Sequence, residues 1–298
     1  MTTETTRPPT VPYRGRFAPS PTGPLHLGSL LAALGSWLLA RHAEGEWLVR
    51  MEDLDPPREL AGAAEGQLRT LARFGLESDR PVLWQSTRGD AYQAALEELM
   101  AGGHVVACHC SRADLASTGG VHRGCVPGAV RDDPALRFRV PPGSVVAFDD
   151  LLRGRQQQDV AAAVGDFVVR RADGPWAYQL AVVVDDAAQG VTDVVRGADL
   201  LDSTPRQLLL QRALGLAQPR HAHLPLVLDG NGRKLSKSLA SLPVDPDDPL
   251  PALRTAWGLL GQPPRALSDA GSVDAALRRA RSHFQPSAIP RTAQVPVR

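Results

Sequence analysis

The stretch Arg16-Phe-Ala-Pro-Ser-Pro-Thr-Gly-Pro-Leu-His-Leu-Gly-Ser29 joins a short apolar segment to a Pro- and Gly-rich turn. From Ser29 to Ala43, apolar side chains recur at three- and four-residue spacing, which predicts a helix with Ser29 near its N-terminus. Such a terminus points unpaired backbone N–H groups at the turn, and Gly28 lets a phosphate approach them. His26 adds a side-chain donor, so the stretch predicts a nucleotide site. Alternatively, it is a loop with an incidental histidine.

A second loop, Leu228-Asp-Gly-Asn-Gly-Arg-Lys-Leu-Ser-Lys-Ser238, carries Lys234 and Lys237 after a hairpin-type turn. Ammonium groups on such a loop can stabilise charge that develops on a triphosphate. On its own, the loop would be a solvated basic turn. Together with the first stretch, it resembles the HIGH and KMSKS signatures of class I aminoacyl-tRNA synthetases. The phrase from Arg16 to Gly23 resembles the glutamyl/glutaminyl branch of that family.

Length and charge restrict the class of protein. The 298 residues suffice for one large or two modest domains. A net charge of +1 makes no case for a polyanionic partner, so any RNA contact must come from local patches. Because the chain has no apolar run of transmembrane length and no hydrophobic signal core, we expect a cytoplasmic monomer with no membrane partner.

Helical and strand patterns alternate along the chain, which predicts an α/β fold with a Rossmann-like, doubly wound parallel sheet. Strands are predicted from Arg14 and at 47–51, 167–171, 177–184 and 191–195, and helices at 61–74, 90–100 and from Ser203 or Thr204 to about Gly215. The predicted division is a flexible tail at 1–13, a catalytic domain at 14–105 and 165–240, a zinc-containing insertion at 106–164, and a short helical region at 241–298.

All three cysteines lie in one short segment, which favours a metal site over a disulfide framework. Cys108, Cys110 and Cys125 supply three thiolates, and His122 is the best-placed fourth ligand for one structural, tetrahedral Zn²⁺. His109 and His104 compete for the fourth position, and three ordinary buried cysteines are the alternative without metal. Small members of the family with a Cys-x-Cys site often have Tyr as a ligand where this chain has His122.

The resemblance to the glutamyl branch covers roughly residues 14–240 and implies a site for L-glutamate and ATP. Glu52 would hold the α-amino group, while Arg16, Arg196 and Tyr178 would hold the acidic side chain. The implied glutamate site comprises Arg16, Phe17, Ala18, Pro19, Ser20, Glu52, Tyr178 and Arg196. The implied ATP site comprises His26, Gly28, Lys234 and Lys237, with His26 and Lys237 catalytic and Mg²⁺ bound mainly by ATP and water.

Each of these residues also has a structural alternative. Glu52 could belong to a solubilising acidic loop, and Tyr178 could be a core residue. Arg196 follows a predicted buried strand, where a guanidinium is costly unless it meets an anion. The planar guanidinium of Arg196 can bind a carboxylate through two hydrogen bonds. Alternatively, Arg196 forms a surface ion pair with Asp199.

About sixty residues follow the lysine loop, fewer than a large anticodon-binding domain needs. We therefore expect no such domain. A catalytic core with a cysteine-rich insertion resembles the paralogues that transfer glutamate to queuosine in the anticodon of tRNA(Asp). Unlike ordinary glutamyl enzymes, it would activate glutamate without tRNA. The expected phosphate contacts are Arg131, Arg137, Arg139, Arg153 and Arg155. Alternatively, these arginines form a solvated basic face.

Three other functions compete with this expectation. A truncated ordinary glutamyl-tRNA synthetase charging tRNA(Glu) would share every catalytic residue. A nucleotidyltransferase of the same superfamily would use the His26 and lysine motifs, but has no need for Glu52 and two arginines around an amino acid. A non-catalytic tRNA-binding relative would show damaged motifs, and these are intact.

Overall fold

The computed structural model describes residues 12–111, 113–125, 128, 130–228 and 243–296. Its strands are β1 (Arg14–Phe17), β2 (Glu46–Met51), β3 (Leu83–Trp84), β4 (Val105–Cys108), β5 (Ala135–Phe138), β6 (Val145–Asp150), β7 (Gly154–Asp159), β8 (Phe167–Arg170), β9 (Asp193–Gly197), β10 (Arg220–Leu224), β11 (Leu226–Leu228) and β12 (Gln294–Pro296). Its α-helices are α1 (Leu27–His42), α2 (Ala63–Arg73), α3 (Gly89–Ala101), α4 (Val160–Ala163), α5 (Tyr178–Ala188), α6 (Thr204–Ala213), α7 (Pro249–Leu259) and α8 (Val273–His283). Lys234 and Lys237 lie outside the described residues, as does the predicted tail apart from Pro12 and Tyr13.

Seven strands form one sheet in the order β3-β2-β1-β9-β10-β6-β7. Every neighbouring pair from β3 to β6 is parallel, and β7 runs antiparallel to β6. This confirms the predicted α/β class and the mostly parallel sheet. The strand order reverses between β1 and β9, and a ligand crevice is expected beyond the carboxyl ends of the strands at such a switch point.

The two faces of this sheet differ in character because successive side chains of a strand point to opposite sides. On one face, Trp47, Val49 and Leu224 pack with α1, α7 and α8 in an apolar core. On the other, Arg16 and Arg196 contact side chains of α5. Charged groups are thus buried between the sheet and α5, directly below the crevice.

The prediction of a strand at 177–184 is wrong, because Tyr178–Ala188 is a helix. A continuous apolar run cannot distinguish a buried strand from a buried helix by its periodicity. The last turn of α5 carries Asp185 and Asp186, which are both buried and paired with side chains from other elements. The helix thus brings Asp186 against the sheet and Asp185 against Tyr92 of α3.

A second sheet, β4-β5-β8, is antiparallel and separate from the main one. It contains the strand predicted at 167–171, which therefore does not belong to the parallel sheet. Strands β6 and β7, from within the predicted insertion at 106–164, instead pair with the main sheet through β10. The domain boundaries stay a prediction.

The predicted short helical region after the lysine loop contains two helices, α7 and α8. Both pack against α1 in the apolar core, through residues such as Trp257 and Leu277. The chain continues to β12, which pairs in parallel with β11. None of the helices in the described part of the chain is long and apolar enough to span a membrane.

Candidate active site and metal centre

A cavity of about 980 Å³ opens at the carboxyl edge of the main sheet, beside the switch point between β1 and β9. The predicted glutamate and ATP residues of the described chain all line it: Arg16, Phe17, Ala18, Pro19, Ser20, His26, Gly28, Glu52, Tyr178 and Arg196. The structure thus brings together residues that are up to 180 positions apart in the sequence. The two predicted lysines are outside the described residues.

The N-terminus of α1 is capped by His26 rather than by Ser29. The backbone N–H of Ser29 donates to Nδ1 of His26 at 3.2 Å. In the neutral ring, the proton is then on Nε2, which can donate to an oxygen in the cavity. A Cβ on Gly28 would lie 3.0 Å from the imidazole ring, so glycine at this position leaves room for the cap.

A buried ion cluster lies under the cavity floor. Asp186 accepts hydrogen bonds from Arg16 Nε at 3.0 Å and from Arg50 Nη1 at 2.8 Å. Burial by itself would raise the pKa of Asp186, but the two guanidinium groups outweigh it and lower the pKa to about 2. Arg50 Nη2 also lies 3.5 Å from Glu52 Oε1, which joins the predicted amino-group ligand to the cluster.

Arg196 differs from Arg16 and Arg50 because, among the described residues, it forms no ion pair. It donates to Nε2 of His223 at 3.1 Å, to the Tyr178 hydroxyl at 3.3 Å and to Thr204 Oγ1 at 2.9 Å. Its remaining partner is the carbonyl oxygen of Leu200. Burial lowers the pKa of Arg196, as expected for a cation held by neutral groups. This cavity wall is therefore suited to bind an anion.

Glu52 and Tyr178 complete the polar end of the cavity. Burial raises the pKa of Glu52 against the opposing effect of Arg50 and Arg16. Burial also raises the pKa of Tyr178, so its hydroxyl keeps its proton and can donate it to a ligand. Two cations, one carboxylate and one hydroxyl therefore face a single cavity.

The second site is the group of Cys108, Cys110, His122 and Cys125, whose ligand atoms all lie within 4.8 Å of one another. Cys110 Sγ is 3.7 Å from Cys125 Sγ, and Cys108 Sγ is 3.3 Å from His122 Nε2. Tetrahedral Zn²⁺ with Zn–S bonds of about 2.3 Å would separate two sulfurs by about 3.8 Å. The four side chains therefore fit zinc.

Neighbouring groups fix the orientation of His122. Asp166 Oδ2 lies 3.0 Å from His122 Nδ1, an arrangement that leaves Nε2 to face the thiols. Gly165 runs beside the backbone of His122, and a Cβ there would lie 2.0 Å from the His122 carbonyl oxygen. The pKa of Cys125 is lowered, chiefly by the backbone N–H of His109.

The two competing histidines have other contacts. The ring of His104 stacks on Phe138 at 5.8 Å between centroids. His109 accepts the backbone N–H of Arg131 through Nδ1. Neither belongs to the four-residue group, so the structure favours His122 as the fourth ligand.

Sequence reasoning missed several residues of these sites: Arg50, Asp150, Asp166, Asp186 and His223. Asp150 contacts His223, and each of the other four contacts a predicted site residue. Asp186 could have been suspected, since two adjacent acids in an apolar run need buried partners. The others have no local signal, because their partners come from distant segments.

The fold and the site define a class. The family model of the class I tRNA synthetase (E and Q) catalytic domain matches residues 12–124 and 128–269. The chain therefore belongs to the glutamyl and glutaminyl branch of the class I tRNA synthetases, as the resemblance predicted.

Curated relatives within this family carry a narrower name. The Glutamyl-Q tRNA(Asp) synthetase of Xanthomonas campestris pv. campestris (strain 8004) is 65% identical over 286 residues, which is 96% of each chain. The protein of the same name from Burkholderia cenocepacia (strain HI2424) is 53% identical, covering 88% of this chain and 93% of the relative. These alignments extend over almost the whole chain.

A solved structure shares the fold. The glutamate tRNA ligase from Elizabethkingia meningosepticum CCUG26117, solved in complex with its amino acid, superposes with a TM-score of 0.79 at 24% identity. The match covers 97% of this chain and 67% of the ligase. At this identity the match shows a common fold.

Proposed function

We propose that this protein activates L-glutamate with ATP, without requiring tRNA, and transfers the glutamyl group to queuosine in the anticodon of tRNA(Asp). The proposal rests mainly on Arg196, which is a buried cation at the cavity wall. Within the described chain, all of its hydrogen-bond partners are neutral. The names of the relatives support the choice of acceptor.

The glutamate side chain would bind to Arg196 and Tyr178. Four of the five guanidinium N–H groups of Arg196 donate to protein atoms, which leaves one on Nη1, beside Tyr178, for a carboxylate. The proton of Tyr178 gives a second hydrogen bond to the same anion. Arg16 adds positive charge, although Asp186 offsets part of it.

The α-amino group of glutamate would bind to Glu52. This carboxylate lies at the carboxyl end of β2, and its backbone N–H donates to the carbonyl of Pro19 at 2.9 Å. That bond fixes the end of β2 against the turn that leads into α1. The ammonium and the two carboxylates of glutamate would then have separate positions, which orients the α-carboxylate towards ATP.

The ATP phosphates would lie at the N-terminus of α1, where the helix dipole and Nε2 of His26 favour negative charge. The α-carboxylate of glutamate attacks the α-phosphate, and pyrophosphate leaves with the electrons of the broken P–O bond. His26 would stabilise the charge on the phosphates, and Lys237 the charge on pyrophosphate. Mg²⁺, bound by ATP and water, would neutralise the phosphates.

Activation without tRNA is supported by the contacts that the site residues make within this chain. The guanidinium of Arg196 already has all four of its protein contacts, and Asp186 already holds Arg16. A preformed site needs no partner to order its side chains before glutamate binds. Transfer would then join the glutamyl carbonyl to a hydroxyl of queuosine and release AMP.

The first expected result is glutamate-dependent exchange of pyrophosphate into ATP in the absence of any tRNA. The assay measures radiolabelled pyrophosphate incorporation with each amino acid, with and without tRNA. Glutamate should support exchange alone, and added tRNA should not be required. Exchange that depends on tRNA would indicate an ordinary glutamyl-tRNA synthetase.

The acceptor is tested with radiolabelled glutamate and three RNAs: queuosine-containing tRNA(Asp), unmodified tRNA(Asp) and tRNA(Glu). We expect label on the first only. Unmodified tRNA(Asp) is the matched control because it differs at a single base. Stable label on tRNA(Glu) alone would contradict the proposed acceptor while leaving glutamate activation intact.

Contacts to the tRNA are proposed for the exposed arginines of the predicted insertion. Arg131, Arg139 and Arg155 are exposed. Arg137 is half-buried and donates to the carbonyl of Asp166, and Arg153 donates to the carbonyl of Arg291. Their exposure makes the first three the better candidates for phosphate contacts, although Arg131 donates to the carbonyl of His109 and Arg155 pairs with Asp149.

We also propose that Cys108, Cys110, Cys125 and His122 hold one structural Zn²⁺. Four protein ligands would close the coordination shell, so the ion would hold the loop together and take no part in the reaction. The neighbouring Asp166 also receives the backbone N–H of Val140 at 2.8 Å, which ties the site to the second sheet.

Protein purified without added zinc should contain one zinc per chain by metal analysis. His122→Ala should lose most of it, because only three thiolates remain. His109→Ala is the matched control, since this histidine lies in the same loop but binds the backbone of Arg131. Zinc that survives His122→Ala and disappears in His109→Ala would reassign the ligand. A parent chain without metal would leave three cysteines with no metal role, two of them buried and Cys125 exposed.

A further inference from the structure

A chain of three buried side chains crosses neighbouring strands behind the carboxylate-binding arginine. Asp150 ends β6, His223 lies in β10 and Arg196 lies in β9. Asp150 Oδ2 is 2.6 Å from His223 Nδ1, and Arg196 Nε donates to His223 Nε2 at 3.1 Å. The side chains of Asp150 and His223 are completely buried.

The hydrogen bonds determine which ring nitrogen carries the proton. Arg196 Nε can only donate, so His223 Nε2 must be unprotonated. The carboxylate of Asp150 accepts, so His223 Nδ1 must carry the proton. Only one neutral tautomer of His223 satisfies both neighbours, and its low exposure disfavours the charged form.

We propose that His223 is a positioning residue for glutamate, holding Arg196 in its carboxylate-binding orientation, with Asp150 selecting the tautomer that can do so. This inference rests on the proposed function, because it takes the bound carboxylate to be that of glutamate. His223 does not touch the substrate, and it acts by accepting the Nε–H of Arg196. Without that acceptor, the Nε–H of Arg196 loses its buried partner, while Nη2 keeps Leu200 and Thr204.

Asp150 also has a second structural role. Its Oδ1 accepts the backbone N–H groups of Leu152 at 3.0 Å and Arg153 at 2.9 Å, which closes the turn between β6 and β7. The same carboxylate therefore joins an exposed hairpin turn to the glutamate site. The adjacent Asp149 is exposed and pairs with Arg155, so it offers a control on the same strand.

Two substitutions separate positioning from simple packing. Nδ1 of histidine lies about as far from the backbone as the amide group of asparagine, and Nε2 about as far as the amide group of glutamine. His223→Asn keeps a donor for Asp150 but leaves Arg196 without an acceptor. His223→Gln keeps a carbonyl oxygen near Arg196 but lacks the donor close to Asp150. Both replace a buried imidazole by a neutral amide, so their packing defects are similar.

The experiment measures pyrophosphate exchange as a function of glutamate and of ATP, with thermal unfolding of each variant as the folding control. His223→Asn should raise KM for glutamate by about 10- to 100-fold, because hydrogen bonds to charged groups are among the stronger ones. KM for ATP and kcat at saturating glutamate should stay near those of the parent. His223→Gln should retain most of the glutamate affinity.

Asp150→Asn tests whether Asp150 selects the tautomer of His223. Its amide can donate to Nδ1, which would place the proton on Nε2 and point it at Arg196. We expect the kinetics of His223→Asn, whereas Asp149→Asn should behave as the parent. Equal KM values for glutamate in the Asn and Gln variants, or parent kinetics in Asp150→Asn, would overturn the positioning role.

The parent assay separates the two levels of the proposal. A parent that shows no glutamate-dependent exchange contradicts the proposed function, and the positioning role with it. If the parent exchanges normally but His223→Asn and His223→Gln have the same KM for glutamate, only the positioning role is contradicted.

Discussion

Replacing Arg196 by alanine is expected to weaken the binding of glutamate by roughly 100-fold or more, while the affinity for ATP stays nearly unchanged. The substitution removes the cation that the structure holds at the cavity wall with neutral partners. The phosphate end of the cavity, at His26, is untouched. Calorimetric titration with each substrate measures the two affinities directly.

The matched control is Arg220→Ala. Arg220 begins β10, the strand next to β9, and binds Asp193 at the opposite end of the strands from the cavity. Its loss should leave both affinities close to those of the parent. Equal losses of glutamate and ATP affinity in Arg196→Ala, or unchanged glutamate affinity, would remove Arg196 from the substrate site.

Asp186→Asn should lower the free energy of unfolding by about 3–5 kcal/mol. Asp186 is the shared counter-ion of Arg16 and Arg50, and all three side chains are buried. An amide leaves two guanidinium charges close together without their carboxylate. Urea unfolding of parent and variant measures the difference.

Asp247→Asn is the control for this loss. Asp247 also pairs with an arginine, Arg73, but both side chains are exposed. Exposed pairs contribute about 0–1 kcal/mol, so this substitution should change stability little. Equal effects of the two substitutions would show that the buried cluster is no more important than a surface pair.

The pH dependence of stability gives a second measurement on the same residue. The pKa of Asp186 in the folded chain is about 2, below its ordinary value of about 4. The stabilisation that ionised Asp186 gives to the folded chain is therefore complete above about pH 4, and it is lost as the pH falls from about 4 to 2. Asp186→Asn should flatten this part of the stability curve.

Much of the fold and the chemistry could be predicted from local sequence. The turn at 16–29 has Pro, Gly and a helical pattern in immediate succession, so its conformation depends mainly on neighbouring residues. The same holds for the cysteines, where three thiols and His122 fall within 18 residues. Order along the chain sufficed to predict which of these residues lie together.

The secondary-structure prediction failed at 177–184, where the element is largely buried. The run at 177–184 is apolar enough for a strand or a helix, and its helical state depends on what surrounds it. Asp185 and Asp186 in the last turn of α5 meet Tyr92 and Arg16, which lie at least 90 positions away. No local pattern encodes such contacts.

The sequence by itself determined the class of protein. It also predicted the turn that we propose to bind phosphate and the four side chains that the structure groups as possible metal ligands, because each depends on residue types at short spacing. Only the tertiary structure decided how the arginines differ. Arg16 and Arg50 meet Asp186, whereas Arg196 meets His223 and no carboxylate of the described chain. The reason is physical: the charge balance of a buried side chain depends on its neighbours in space, and parallel strands bring those neighbours from distant segments.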